Sequence, residues 1–311
     1  MKVLFFGTPL FAARVLEELS QQGIEIVGVI SKPDKPLGRS GHPLPVPVKT
    51  VAEKRGLPLL QPPFVSSSEF ASTLEAFGAD LFVVVAYGEI LKDHVLKMPP
   101  KGCINLHASL LPKYRGAAPI QRVIMHGEEK SGVSIMHMVK KMDAGDVIAM
   151  AEVPISLEMT FGELEEALFQ AGSPLLLEVL RAFEKGEPPA TPQDHTQMTL
   201  APKVELVDTE VKWEKPASEL HNLIRGVNPE PGAWCWVKWK GERKRLRLFR
   251  SRLIEKEGLL GTFLEYGKQG MVVATGKGAL DILDVQLEGK NRMSGREFAC
   301  GYQIKLLINT S

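Results

Sequence analysis

Three observations predict an α/β domain followed by a small β-barrel. From residue 3 to about residue 155, short unbroken apolar runs alternate with segments of helical periodicity, the pattern of a mixed, mainly parallel Rossmann-like sheet with helices on both faces. After a proline-rich stretch the texture changes to five short strand-like runs punctuated by glycine, which fits an OB-like β-barrel. The 311 residues, 44% hydrophobic and 24% charged, are enough for two globular domains. The expected division is 1–187 for the α/β domain, 188–203 for a linker and 204–311 for the barrel.

Each element has its own signal. Val3 to Gly7 is an apolar run ending in glycine; Thr8-Pro9 then supplies an N-cap and a proline suited to the first helical position. Ala12, Val15, Leu16 and Leu19 continue at helical spacing to Gly23, and Ile24 to Ile30 completes a βαβ unit. Further strands are predicted at Pro58–Gln61, Leu81–Ala86 and Cys103–Leu106, with helices near Val48–Lys54, Glu69–Phe77 and Ile120–His126. Gly132–Val139 and Asp146–Ile155, joined by a short polar connection, read as paired strands and make the sheet mixed at that edge. Thr160 to Glu163 forms a capping box that opens one helix, and Ser173-Pro174 reads as the start of a second, ending near Gly186. Beyond the linker, a helix near Ala217–Arg225 precedes strands at Ala233–Trp239, Arg243–Arg252, Leu259–Tyr266, Gly270–Thr275 and Leu280–Leu287.

Lys and Arg total 38 against 37 Asp and Glu, but this balance is a cancellation. Residues 1–190 carry 19 basic and 22 acidic side chains, net −3, and residues 191–311 carry 19 and 15, net +4. Within the second part, Lys238 to Arg252 holds eight basic residues against Glu242 alone. Arg245 and Arg247 alternate with Leu246 and Leu248, so a strand there buries leucines and presents arginines outward, to phosphates or simply to solvent.

Several function classes are set aside. Cys103, Cys235 and Cys300 lie too far apart in sequence for a disulfide framework or a metal knuckle, and the seven histidines form neither HxxxH nor HExxH, so no metal is expected. The Gly7 turn lacks GxGxxG, which argues against nicotinamide binding. No apolar run reaches the ~18–20 residues of a membrane helix. Met1-Lys2 leads straight into a strand, and a cytoplasmic, unprocessed chain with no membrane partner is expected.

Chemistry concentrates where open α/β sheets bind ligands, at the carboxyl ends of strands. Asn105 and His107 are two apart on a predicted strand and leave the same face. An amide can donate to a developing oxyanion, and an imidazole with an ordinary pKa of ~6.5 can move a proton near neutral pH. Taken alone, the pair also fits ordinary polar residues at a strand end. The following loop, Ser109 to Pro119, holds two cations, a glycine and apolar side chains able to grip a flat ring. Asp143-Ala144-Gly145-Asp146 offers two carboxylates in a tight turn; one of them can orient His107, and Asx-turn chemistry alone also accounts for them. Lys32 to Pro45 is a long, proline-studded, cationic loop that suits a polyanion or a rigid solvated insertion.

Asn105-x-His107-x-Ser109-Leu110-Leu111-Pro112, Arg115-Gly116-x-x-Pro119 and Asp143-x-Gly145-Asp146 together resemble the formyltetrahydrofolate-dependent formyltransferases. Gly7-Thr8-Pro9, Val85 to Gly88, Ala201-Pro202-Lys203 and Asn228-Pro229 extend the likeness over essentially the whole chain. The branch most resembled formylates the methionine amine of initiator methionyl-tRNA. The resemblance implies transfer of the formyl group of 10-formyltetrahydrofolate, with Asn105, His107 and Asp143 as the catalytic three. It further implies a folate pocket lined by Ser109, Leu110, Leu111 and Pro112, with Tyr87, Gly88, Ile90 and Leu91 on the pterin side. It places the Lys32 to Pro45 loop, with Lys35 and Arg39, against the tRNA acceptor stem, although Ser40-Gly41-His42 stand where other members carry lysines. Lys238, Arg243, Lys244, Arg245 and Arg247 are the expected tRNA contacts of the second domain, and a monomer is expected. An amino-sugar nucleotide formyltransferase shares the first-domain motifs and is the nearest alternative. A non-catalytic RNA-binding protein on this scaffold is the other.

Overall fold

The alternating apolar runs become strands of one sheet in the computed structural model, which describes residues 1–36 and 43–307. The elements are β1 (Val3–Gly7), α1 (Leu10–Gln21), β2 (Ile26–Ile30), β3 (Lys35–Pro36), β4 (Pro43–Leu44), α2 (Pro47–Lys54), β5 (Leu59–Leu60) and α3 (Ser68–Glu75). They continue with β6 (Leu81–Val85), α4 (Asp93–Leu96), β7 (Cys103–His107), α5 (Pro119–Met125), β8 (Lys130–His137), β9 (Val147–Pro154) and α6 (Phe161–Lys185). The sheet order is β5-β2-β1-β6-β7-β8-β9, parallel from β5 to β7 and antiparallel at β8 and β9. The mixed edge is where the sequence placed it. β1 and β6 are buried at every residue, as strands covered on both faces must be. Phe6 packs against Phe82 and Tyr87 with ring centroids 5.1 and 5.6 Å apart.

Two expected helix starts fail. Thr8 does not cap α1: Pro9 stands at the N-cap, and Thr8 Oγ1 donates instead to the Tyr87 carbonyl at 2.9 Å. Ser173-Pro174 does not open a second helix: α6 is a single helix of 25 residues with Pro174 inside it. Pro174 has no N–H for the carbonyl of Gln170, so one rung of the helix is missing. Tertiary packing carries the helix through: Leu168, Leu176, Leu180 and Phe183 are fully buried on one apolar face spanning the proline.

Contacts divide the chain into two units. The first comprises Met1–Pro119, Lys130–Pro154 and Glu165–Ala201, and the second Ile120–Glu129, Ile155–Leu164 and the chain from Pro202 onward. The proline-rich stretch before Pro202 is therefore packed in the first unit: Thr191 and Val147 exchange both backbone hydrogen bonds, and Ala201 is fully buried.

The second unit is built on α7 (Ala217–Gly226) and the strands β10 (Ala233–Trp239), β11 (Glu242–Ile254), β12 (Phe263–Gly267), β13 (Gly270–Ala274), β14 (Ala279–Leu287) and β15 (Met293–Ser294). α8 (Gly295–Gly301) and β16 (Ile304–Leu306) complete it. Its antiparallel sheet runs β12-β13-β14-β11-β10-β16, with β15 beside β14, a curled half-barrel around Trp213, Leu220, Ile224, Val237, Leu246 and Phe298. All five expected strands are present; β15, α8 and β16 are additional, short pieces whose apolar pattern is too brief to read. Among the described residues no helix is long and apolar enough to cross a membrane.

The long loop after β2 is anchored at its stem. β3 and β4 pair there, and the Asp34 carboxylate accepts hydrogen bonds from Gln61 Nε2 at 2.9 Å, Lys49 Nζ at 2.7 Å and the Val46 amide at 3.3 Å. These partners, Gln61 foremost, hold the Asp34 carboxyl below the usual carboxylate range. A depressed folded-state pKa stabilises the fold above the unfolded value and loses that contribution as pH falls through the folded value. Asp34→Asn is therefore expected to lower the thermal midpoint at pH 7, with the deficit shrinking as pH drops below ~4. Calorimetric melting of both proteins across pH 3–7 checks this; a deficit independent of pH would refute it.

Candidate active site

β7 carries Asn105 and His107 to the carboxyl edge of the parallel strands, on the same face. His107 is buried and its Nε2 lies 3.0 Å from the carbonyl of Tyr114. A carbonyl can only accept, so Nε2 carries the proton in neutral His107 and Nδ1 presents a lone pair. Asp143 Oδ2 lies 3.8 Å from that Nδ1, beyond hydrogen-bond reach and within ion-pair distance. The Asn105 amide has no side-chain hydrogen-bond partner among the described residues, which leaves its N–H donors for a ligand.

Asp143 is not held by His107. Its Oδ2 accepts from the Gly116 amide at 2.8 Å, and its backbone sits at φ +50°, in the left-handed region. The turn demands glycine beside it: a Cβ on Gly145 would stand 1.9 Å from the His137 carbonyl oxygen. Gly116 is similarly required, with φ +130° and a Cβ position 2.6 Å from the Ala201 carbonyl oxygen.

Two loops of the first unit are laced together around this site. Thr199 accepts from the Arg115 amide at 3.0 Å through its carbonyl, and its Oγ1 accepts from the Tyr114 amide at 2.8 Å. Ala201 donates to the Arg115 carbonyl at 2.7 Å and accepts from Ala118 at 3.1 Å. The Arg115 side chain is 1% exposed; its Nη2 reaches Gln193 Oε1 at 2.5 Å and His195 Nδ1 at 2.9 Å. Burial pulls the guanidinium pKa down, and the Asp143 charge acts against that pull. Arg115 stands out in the sequence only as part of a motif, and Gln193 not at all, because a glutamine in a proline-rich stretch has no local signature.

The expected folate residues divide by burial. Ser109 is buried, donating to the Lys113 carbonyl at 2.7 Å. Ser134 Oγ accepts from the Leu111 amide at 3.1 Å and donates to the Ser109 carbonyl at 2.7 Å, which folds the loop back on β8. Leu111 is buried with Met136 and Val147, and Leu110 and Pro112 are half-buried. Tyr87 and Leu91 belong to the core, the Tyr87 hydroxyl being buried without a hydrogen-bond partner and its pKa pushed up by that burial, whereas Gly88 and Ile90 are exposed. Leu10, Phe64 and Ile90, in the segments after β1, β5 and β6, are large apolar side chains left in water at this edge.

Of the expected tRNA contacts, Arg39 lies outside the described residues, and Lys35 has a described backbone in β3. In the second unit, register pairs Trp234 with Arg247, Trp236 with Arg245 and Lys238 with Arg243 on the outer face of β10 and β11. Lys244 has the parity of Leu246, leaves the other face and pairs with Glu242 at 2.9 Å.

The formyl transferase family profile matches residues 1–180, and the formyl transferase C-terminal domain profile matches residues 203–303. The chain is 56% identical over 313 aligned residues to the methionyl-tRNA formyltransferase of Protochlamydia amoebophila, covering 99% of this chain and 98% of that one. Among solved structures, WlaRD, a sugar 3N-formyl transferase, matches with a TM-score of 0.67 at 18% identity, over 94% of this chain and 99% of that one. HypX from Aquifex aeolicus in complex with tetrahydrofolic acid matches with a TM-score of 0.66 at 20% identity, over 96% of this chain and 46% of that one, so the present chain spans about half its length. At such identities the two structures speak for the fold. With both profiles matched in order and a relative alike from end to end, the chain belongs to the formyl transferase family.

Proposed function

We propose that this protein transfers the formyl group of 10-formyltetrahydrofolate to the α-amino group of methionine on initiator methionyl-tRNA. The observation that carries this reading is the 56% identity, over nearly the full length of both chains, to a methionyl-tRNA formyltransferase. The site supports it. Residues 1–187 supply the chemistry and residues 204–311 the tRNA-binding face, in a cytoplasmic monomer.

The folate donor brings the formyl carbon to the carboxyl edge, against Leu110, Pro112, Gly88 and Ile90. Asn105 donates a hydrogen bond to the formyl oxygen as it gains negative charge under attack by the methionine amine. His107 Nδ1, unprotonated in the neutral ring, takes the proton that the amine nitrogen sheds. Asp143, 3.8 Å away, stabilises the resulting imidazolium electrostatically. The formyl carbon then parts from the folate nitrogen, which takes up the proton that His107 Nδ1 holds and leaves as the amine of tetrahydrofolate. No metal enters these steps.

The test incubates the purified protein with 10-formyltetrahydrofolate and, separately, methionyl initiator tRNA, methionyl elongator tRNA and an amino-sugar nucleotide. Formylation of the initiator tRNA above the elongator is expected. Formylation of the sugar nucleotide alone would overturn the reading.

A further inference from the structure

We propose that Gln193 is a positioning residue for formyl transfer, clamping the Asp143 turn in its reactive place by a hydrogen-bond network rooted in the buried guanidinium of Arg115. The inference rests on the proposed reaction and extends it to a residue outside the catalytic three.

The network leaves the glutamine amide one orientation. Gln193 Nε2 donates to the carbonyl oxygens of Asp143 at 3.0 Å and Gly145 at 2.6 Å. Its Oε1 accepts from Arg115 Nε at 3.2 Å and Nη2 at 2.5 Å. A guanidinium only donates and carbonyls only accept, so a flipped amide would set donor against donor and acceptor against acceptor. Gln193 is 9% exposed and Arg115 1%, and groups this buried cannot exchange these partners for bulk water.

The clamp acts where the chain needs holding. Asp143 occupies a left-handed conformation that persists only when its surroundings over-determine it. The Gly116 amide fixes the carboxylate itself, and the two Gln193 bonds fix the Asp143–Ala144 and Gly145–Asp146 peptides. Nothing bonds Asp143 to His107 directly, so the 3.8 Å separation on which imidazolium stabilisation depends is set by this scaffold. His195, whose Nδ1 lies 2.9 Å from Arg115 Nη2, and Thr199, which accepts from the Tyr114 and Arg115 amides, tie the same stretch to the loop that receives His107 Nε2. The segment after α6 therefore fits both sides of the His107 and Asp143 pair at once.

Gln193→Glu separates positioning from structural support. It is isosteric and keeps the acceptor toward Arg115, as an ion pair, while setting carboxylate oxygen against the Asp143 and Gly145 carbonyls. Misplacement of a reacting group by about 1 Å can cost ~10²-fold, so a kcat loss of ~10–100-fold is expected, with KM for tRNA and folate changed less than about threefold. Gln193→Leu, which adds no charge and removes both the donor to the turn and the acceptor for Arg115, should lose kcat similarly. On an Asp143→Asn background, Gln193→Glu should cost less than about twofold more, because the group it positions is already disabled. Wild-type kcat in Gln193→Glu, a loss confined to KM, or losses that multiply in the double variant would overturn the proposal. Wild-type protein unable to formylate methionyl-tRNA would instead overturn the reading of the reaction, and this proposal with it.

Discussion

Asn105→Ala is expected to lower kcat for formyl transfer by ~10²–10³-fold, the typical loss on removing one oxyanion donor. Strand parity sets the geometry. β7 pairs in register with β6 on one side and β8 on the other, which fixes which face its alternate side chains leave. Asn105 and His107 share that face, and among the described residues only His107 of the two has a side-chain hydrogen bond to the protein, at its Nε2. An amide left unpartnered on a rigid central strand is preorganised for a charge that exists only in the transition state. Its loss should therefore fall on kcat, with KM for both substrates little changed. Asp143→Asn should also lower kcat, because the neutral amide no longer stabilises the imidazolium. Single-turnover assays with saturating methionyl-tRNA and 10-formyltetrahydrofolate read this directly; near-normal turnover in Asn105→Ala would remove it from the mechanism.

Much of this arrangement is legible in the residues, and the illegible parts have physical reasons. Unbroken apolar runs at β1 and β6 announce burial on both faces, so the sheet is written locally. The pairing of Asn105 with His107 follows from the two-residue strand period. Asp143 is held in their neighbourhood by the Gly116 amide and the Gln193 bonds, contacts 27 and 50 residues distant in sequence, and no periodicity encodes those. The same gap explains α6: Ser173-Pro174 is a sound helix start by local rules, and the apolar face buried from Leu168 to Phe183 overrides it. Gln193 shows the limit best, since its neighbours Pro192 and Asp194 mark a turn while its own side chain is the hub of the buried network.

Arg243→Ala combined with Arg245→Ala is expected to weaken tRNA binding and flatten its salt dependence, which tests the outer face of β10 and β11 as the phosphate-binding surface. The basic run from Lys238 to Arg252 is not uniform once folded. Lys244 pairs with Glu242, Arg250 with Glu163 and Arg252 with Asp281, and Arg247 is drawn to the Pro231 carbonyl and Gln286. Arg243 and Arg245 instead lie over tryptophan rings, Arg243 at 4.0 Å from the Trp236 centroid and Arg245 at 5.0 and 5.2 Å from those of Trp234 and Trp236. Stacking occupies the flat face of a guanidinium and leaves its N–H edge for phosphate oxygens. The rings thus orient the two arginines without neutralising them. Each phosphate contact contributes ~0.7–0.9 to the slope of log K against log salt, so losing two should reduce the slope by ~1.6, equivalent to ~10²-fold in Kd at about 50 mM salt relative to about 1 M. Arg252→Ala serves as the control: its charge is already matched by Asp281, and its slope should equal the wild-type value. A wild-type slope in the double variant would mean that Arg243 and Arg245 form only a solvated, stacked surface, and that phosphate contacts arise elsewhere.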